Sequence, residues 1–351
     1  MKRIAFVLGS MGRGGAERVI SILSRSYAER GYETDIILLL SGEVGYELHE
    51  TTRVLDFSGS TSSRIKRLPM WLKSIRKYVK ENEPDVIVSF TARINVIVNF
   101  ATTGLKTRLV VSERNDPRYD GRSRLVDILT KMQYPRVDAV VFQTKRAKDY
   151  FNKLDNSVII PNPINVSCKA TNEIRGRIVT AGRLTKQKNQ RLLIDAFNII
   201  KDKHEGATLE IYGEGTLREE LTDYIASLGI SDRVTLPGNK LNIHEELSSA
   251  SIFALSSDYE GLSNAQLEAM MMGLALVSTN CAGADEYIVN GESGFIVDVG
   301  NTDAFAKALD TLLSDDVLRQ SFRERAQESS RTFSYENVMA AWDKTILGEE
   351  I

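Results

Sequence analysis

The sequence holds little that could staple, anchor or metallate a fold. Its two cysteines, Cys168 and Cys281, are too few for a disulfide framework and suggest a reducing compartment. The three histidines, His49, His204 and His244, are far apart and show no H-x-x-x-H spacing. No Asp-x-Asp pair occurs, so a divalent cation has no obvious seat. No uncharged apolar run reaches the ~18 residues of a membrane-spanning helix. The opening run Ile4–Leu8 is too short for a signal peptide and leads straight into glycines.

What is present is an ordinary globular mixture. The 351 residues are 42% hydrophobic and 26% charged, enough apolar material for two cores, and the length favours two domains of ~150 residues. The net charge of −2 conceals an asymmetry. Residues 1–165 carry 27 Lys+Arg against 18 Asp+Glu, and the remainder 18 against 29. A basic half beside an acidic one suggests that one half faces an anionic surface, unless the two domains simply differ in charge.

Short β-branched runs alternate with amphipathic stretches. In the first half, strands are expected at Ile4–Leu8, Asp35–Leu40, Asp85–Ser89, Arg108–Ser112, Ala139–Gln143 and Ser157–Ile160. Helices are expected between them, among them Ala16–Arg30, Ile65–Lys80 and Ser123–Gln133. Uncharged runs such as IILLL suit a parallel sheet covered on both faces. Residues Pro161–Arg175, with two prolines and no periodicity, read as a linker. The rhythm then restarts at strand Arg177–Ala181 and ends in helix Tyr335–Leu347. The expected architecture is α/β: two facing Rossmann-like, doubly wound parallel-sheet domains, 1–163 and 164–333. The ligand-bearing loops should follow the strands.

Three loops carry most of the chemistry. Gly12-Arg13-Gly14-Gly15 follows the first strand and opens a helix; its glycines let backbone approach a phosphate, or simply make a tight turn. The G-x-G-x-x-G register fails and Ser41-Gly42 supplies no ribose-binding acid, which disfavours a dehydrogenase. Gly182-Arg183-Leu184-Thr185-Lys186-Gln187-Lys188-Asn189 follows the first strand of the second half. Arg183 and Lys188 can converge there on one anion as a metal-free diphosphate clamp, the alternative being a solvated basic loop. In Glu260-Gly261-Leu262-Ser263-Asn264-Ala265-Gln266-Leu267-Glu268, Ser263 and Gln266 have capping-box spacing, so a helix should begin at Asn264. Glu260 and Glu268 then bracket a helix N-terminus and suit the two ends of one anionic ligand, unless they share no role. Gly213, Gly238 and Asn239 lie in post-strand loops that line a base pocket or merely turn, and Arg114 and Asn115 mark an acceptor site or a surface ion-pair cluster.

Residues Arg64–Lys80 carry seven Lys or Arg and no acid, with Trp71 and five aliphatic residues interleaved. A basic amphipathic helix with a tryptophan is a membrane-surface signal, and equally a crossover helix packed on its sheet. No nucleic-acid-reading module is present.

Taken in order, GGAERV at Gly14–Val19, GRLTKQKN at Gly182–Asn189, EGLSNAQLEAM at Glu260–Met270 and the Gly291–Gly294 turn resemble the retaining glycosyltransferases of the family-4 type, with the GT-B fold. The overall pattern is similar to bacterial enzymes that extend lipid-linked or capsular glycans, including N-acetylgalactosamine transferases. The resemblance implies transfer from a UDP-sugar, with retention, to a glycolipid or oligosaccharide acceptor. With no Asp-x-Asp pair, no cofactor and no metal are expected, and the basic Arg64–Lys80 stretch suggests a peripheral place at the cytoplasmic face of a membrane. The resemblance assigns the diphosphate to Arg183 and Lys188, with Gly14 and Gly15 approaching from the other side, and the ribose to Glu268. The donor sugar falls to Glu260 and the amides of Gly261, Leu262, Ser263 and Asn264. A final segment, 334–351, would cross back onto the first domain. Many relatives carry a histidine where this chain has Arg114, which cannot shuttle a proton. Two alternatives stay open: a nucleotide-sugar epimerase or hydrolase on this fold, or a non-catalytic nucleotide-sugar binder.

Overall fold

The computed structural model describes residues 2–12, 14–59, 64–152, 154–164, 166, 168, 170, 173–281 and 283–348, and the backbone alone at 64–66. Arg13 of the expected glycine loop and part of the expected linker lie outside them. The chain divides into two compact units, Met1–Pro163 with Glu336–Ile351, and Ile164–Tyr335.

The first unit runs β1 (Arg3–Leu8), α1 (Gly15–Glu29), β2 (Glu33–Leu38), β3 (Arg53–Asp56), α2 (Arg64–Asn82), β4 (Val86–Phe90), α3 (Ala92–Thr102), β5 (Arg108–Ser112), α4 (Arg124–Gln133), β6 (Ala139–Phe142), α5 (Lys145–Asp149) and β7 (Ser157–Ile159). Its seven strands lie in the order β3-β2-β1-β4-β5-β6-β7. They are parallel, with Ile4 opposite Thr34 on one side and Val86 on the other. The central strands are buried almost throughout, as the uncharged runs require when helices cover both faces. β3 is absent from the expectations drawn from the sequence. It is a four-residue edge strand exposed along most of its length, so no apolar run marks it; Arg53 secures it through a 2.6 Å ion pair with buried Asp35.

The second unit runs β8 (Arg177–Ala181), α6 (Gln190–Ile200), β9 (Thr208–Tyr212), α7 (Arg218–Ser227), β10 (Val234–Gly238), α8 (Ile243–Leu247), β11 (Ile252–Leu255), α9 (Asn264–Met272), β12 (Ala275–Thr279), α10 (Ala284–Tyr287), β13 (Phe295–Val297), α11 (Thr302–Ser314) and α12 (Asp316–Ser329). Its six strands take the order β10-β9-β8-β11-β12-β13. Successive side chains alternate faces: Ile178 joins a core with Leu193, Phe197 and Phe305, whereas Val179 joins one with Phe253, Leu267 and Met270. In both sheets the order reverses beside the first strand, the arrangement of a doubly wound fold.

Helix α13 (Tyr335–Leu347) joins the first unit. Trp342 is fully buried and stacks on Phe90 at 6.1 Å between centroids; Asp343 pairs with Arg30 at 2.8 Å, and Arg108 donates to the Thr345 carbonyl at 3.2 Å.

Helix α2 corrects part of the membrane expectation. Trp71, Ile75, Tyr78 and Val79 are buried in the first core, and the Trp71 indole donates to the Phe57 carbonyl at 3.0 Å. The tryptophan and most of the apolar stripe therefore face the fold, while Leu68 is exposed. Lys73, Lys77 and Lys80 remain on the surface.

Candidate active site

The strongest cluster lies in the second unit, where the loops after β8 and β11 are bonded to one another. The Asp258 amide donates to the Gln187 carbonyl (2.9 Å), the Gln187 side chain to the Tyr259 carbonyl (2.9 Å) and the Asn189 side chain to Asp258 Oδ1 (2.7 Å). A 3-10 turn at Lys186–Lys188 followed by Asn189 in the left-handed region (φ 43°) gives the first loop its shape, and Asn189 caps α6. Asparagine tolerates that conformation better than most residues.

This zipper brings Lys188 to Glu260: Nζ lies 2.5 Å from Oε1, and both side chains are mostly buried. Ser257 Oγ donates to the same carboxylate oxygen at 2.7 Å. The Lys188 stem lies over Gly182, within 3.3 Å of where a Cβ would stand. Cys281 and Tyr287 border Glu260. Burial pushes the Cys281 thiol up to about 12, and the Glu260 carboxylate adds to the rise; burial likewise raises the Tyr287 hydroxyl. Arg183 is exposed, and its guanidinium pairs with no carboxylate among the described residues.

Gly261, Leu262 and Ser263 are buried, Leu262 within the core, so of that residue only the backbone is available to a ligand. Helix α9 begins at Asn264, but the expected capping box is not formed. The Gln266 side-chain oxygen accepts from Tyr287 (3.0 Å) and Ser278 (3.4 Å) in place of the Ser263 N–H, and the Ser263 hydroxyl is itself buried without a partner. A helix N-terminus that carries an unsatisfied hydroxyl beside a lysine–glutamate pair is chemically suited to an anionic, hydroxyl-bearing ligand.

Glu268 is buried one turn further on, with His244 Nε2 at 3.5 Å from Oε2. His244 was not among the residues expected here; it stands 24 positions before Glu268, on α8, and no local spacing announces the contact. The Gly213 amide donates to the Gly238 carbonyl at 3.0 Å, and Asn239 is exposed. Gly213 has φ 136°, and a Cβ there would overlap the Gly182 carbonyl oxygen.

Gly14, Gly15, Arg114 and Asn115 belong to the first unit. Gly14 is the N-cap of α1, and its carbonyl accepts from Tyr46 (3.0 Å). The Glu17 carboxylate folds back against it. Asn115 is exposed, whereas Arg114 is buried. Arg114 donates to Ser112 Oγ (3.2 Å) and Asn162 Oδ1 and sits over the Phe90 ring at 5.4 Å. Burial lowers its pKa, and the Glu17 carboxylate opposes that fall. Glu113, next to Arg114, pairs with Arg122 at 2.8 Å, and both side chains are buried, so this ion pair does not lie at the surface. Among the described residues, no group of three or more His, Cys, Asp or Glu is placed to hold a metal ion.

Two family models match this chain in succession: "Glycosyltransferase Family 4" over residues 13–167 and "Glycosyl transferases group 1" over residues 169–329. The chain belongs to the family-4 type of glycosyltransferase. It is 27% identical over 361 residues to a Campylobacter jejuni "GalNAc-alpha-(1->4)-GalNAc-alpha-(1->3)-diNAcBac-PP-undecaprenol alpha-1,4-N-acetyl-D-galactosaminyltransferase", covering 99% of this chain and 98% of that protein. A second C. jejuni enzyme, an "N-acetylgalactosamine-N,N'-diacetylbacillosaminyl-diphospho-undecaprenol 4-alpha-N-acetylgalactosaminyltransferase", is 29% identical, covering 99% of this chain and all (100%) of that one. An Erwinia amylovora protein named for amylovoran biosynthesis is 25% identical over 97% of this chain and 98% of its own length. Among solved structures, Anabaena HepE in complex with UDP superposes with a TM-score of 0.85 at 19% identity, covering 99% of this glycosyltransferase and 100% of that chain. This likeness, like that to a sucrose-phosphate synthase from Thermosynechococcus elongatus (TM-score 0.84, 15% identity, 100% of both chains), bears on the fold, which is GT-B.

Proposed function

We propose that this glycosyltransferase moves a hexose or N-acetylhexosamine from a UDP-sugar to a lipid-linked glycan acceptor, retaining the anomeric configuration and using no metal ion. The observation that carries the reading is the Lys188–Glu260 pair beside the unsatisfied Ser263 hydroxyl. Without donor, each charge of the pair neutralises the other. With donor, Lys188 and exposed Arg183 turn to the diphosphate, and Glu260 accepts hydrogen bonds from sugar hydroxyls. The amides from Gly261 to Asn264 serve the same ligand. Glu268 accepts from the ribose diol, and the loops holding Gly213, Gly238 and Asn239 border the base. In the first unit, Gly14 and Gly15 open α1 with backbone suited to a phosphate, and Arg114 and Asn115 serve the acceptor.

As the bond from the anomeric carbon to the phosphate oxygen breaks, negative charge grows on UDP. Fixed cations and helix N-termini stabilise that charge without reorganising. The acceptor hydroxyl adds to the anomeric carbon on the face UDP leaves, and its proton passes to a phosphate oxygen. The two Campylobacter relatives, named for transfer to undecaprenol-diphosphate-linked glycans, support the lipid-linked acceptor. The surface lysines of α2 support contact with anionic lipid by charge alone.

A panel of UDP- and GDP-sugars, scanned by thermal shift with and without EDTA, tests the donor. The matching UDP-sugar at a hundred times its Kd adds about 2.7 kcal/mol of stability, and EDTA leaves the shift intact. Loss of the shift in EDTA contradicts the metal-free reading. NMR of the first-formed product reads the anomeric configuration. Free sugar released at the same rate without any acceptor would make the enzyme a hydrolase.

A further inference from the structure

Helix α4 keeps Val126 and Leu129 half-buried but turns the rest of its apolar side chains outward. Its buried residues are polar, Thr130 and Gln133, while Leu125, Ile128 and Met132 are 65%, 46% and 55% exposed. The spacing i, i+3, i+7 aligns the three on one stripe. Tyr119, ahead of the helix, is also exposed, as is Phe100 on α3, which packs beside α4; Arg93 of α3 donates to the Gly121 carbonyl at 3.3 Å. Single exposed apolar residues are ordinary, but three aligned on one ordered stripe are not.

On α4 and the turn after it, the exposed charges left once internal pairs are set aside are cationic, with Asp138 beyond them held loosely by Arg108 at 3.8 Å. Asp127 is taken by Lys131 (2.9 Å) and Tyr150 (2.8 Å), and Asp120 by Arg122 (2.7 Å). Arg124 at the start of α4 and Arg136 just beyond its end remain exposed, and Arg136 donates to the Met132 carbonyl. An apolar stripe with arginines at both ends, on the half of the sequence that carries the positive excess, is complementary to an anionic bilayer surface. Acyl chains take the leucine, isoleucine and methionine, and headgroup phosphates take the guanidiniums.

We propose that the exposed face of α4 is the surface by which the first unit beds into an anionic membrane. This moves the apolar contact from α2, whose tryptophan lies in the core, to a helix the sequence did not single out. The proposal rests on the lipid-linked acceptor only for its purpose: a bedded first unit meets a substrate whose diphosphate lies at the headgroup level.

The test is co-sedimentation of the full chain with vesicles of phosphatidylcholine alone and of phosphatidylcholine containing about one-third phosphatidylglycerol. The wild type pellets with the anionic vesicles and much less with the neutral ones. The triple variant Leu125→Gln/Ile128→Gln/Met132→Gln, whose sites are exposed, loses binding about tenfold or more. Arg124→Gln/Arg136→Gln loses the preference for anionic lipid, while Lys73→Gln/Lys77→Gln/Lys80→Gln on α2 retains most of the binding. An unchanged triple variant, or loss confined to the α2 variant, overturns the proposal. So does a wild-type dimer that the triple variant converts to a monomer, since the stripe is then a contact between copies. Unchanged UDP-induced thermal shift certifies the fold of each variant. Vesicle binding is read without turnover, so failure of the donor assignment leaves it standing, and failure of vesicle binding leaves transfer to a water-soluble acceptor intact.

Discussion

At the residue scale the account turns on how the mostly buried Glu260 side chain is partnered. Lys188 and the Ser257 hydroxyl both address the same oxygen, offsetting the desolvation that burial imposes. Its influence reaches Cys281, whose thiol is raised to about 12 by burial first and by the Glu260 carboxylate second. Glu260→Gln removes that contribution, so the Cys281 pKa falls, although burial keeps it above the ordinary value. Alkylation of Cys281 against pH, followed by peptide mapping, reads this directly: the reaction should set in at lower pH in the variant than in the wild type. An unchanged profile would mean that Glu260 does not act on the Cys281 thiol. Sequence reasoning finds Lys188 and Glu260 because each stands in a recognisable post-strand loop. It does not find His244 or Cys281, whose proximity to Glu268 and Glu260 is created by packing between elements.

At the scale of elements, the second unit's site depends on loops brought closer than any side chain permits. Gly213 holds φ 136° and lies with its Cα against the Gly182 carbonyl. Gly213→Ala adds strain of about 1–3 kcal/mol and a clash with fixed backbone, and should abolish UDP binding while lowering the thermal midpoint. Wild-type affinity would show that the loops can part without loss. Strand β9 carries a pH dependence. The Arg177 guanidinium, bonded to Glu210, holds that carboxyl below its usual 4.5, and the Tyr212 hydroxyl adds to the effect. A depressed carboxyl stabilises the fold above the unfolded value and loses that contribution as pH falls through the folded one. Stability of the wild type should therefore decline below pH 4.5 more steeply than that of Glu210→Gln, as urea titrations at successive pH values would measure. The same scale shows where patterns mislead. S-x-x-Q forecasts a capping box, but Gln266 is engaged by Ser278 and Tyr287. An apolar stripe on basic α2 reads alike whether a sheet or a membrane covers it.

At the scale of the whole molecule, two doubly wound units follow from alternation alone, because fully apolar strands spaced by amphipathic helices admit few other arrangements. What alternation leaves out is the exposed edge strand β3 and the 3-10 turn that presents Lys188, since neither buries an apolar run. Chain order does not settle membership of a unit either. Helix α13 follows the second unit and packs in the first, where Trp342 lies on Phe90. Trp342→Ala should cost about 3–5 kcal/mol, seen as faster hydrogen exchange in β4 and α13. Faster exchange confined to the second unit would contradict that placement.

The central claim is that a diphosphate is held by fixed cations in the second unit without a metal ion. The most direct measurement is kcat/KM for sugar transfer, in EDTA, by the wild type, Arg183→Ala, Lys188→Ala and the double variant. The account predicts wild-type activity in EDTA and a loss of transition-state stabilisation of about 2–4 kcal/mol for Lys188→Ala. Full turnover by the double variant, or a wild type that EDTA silences and magnesium restores, would contradict it.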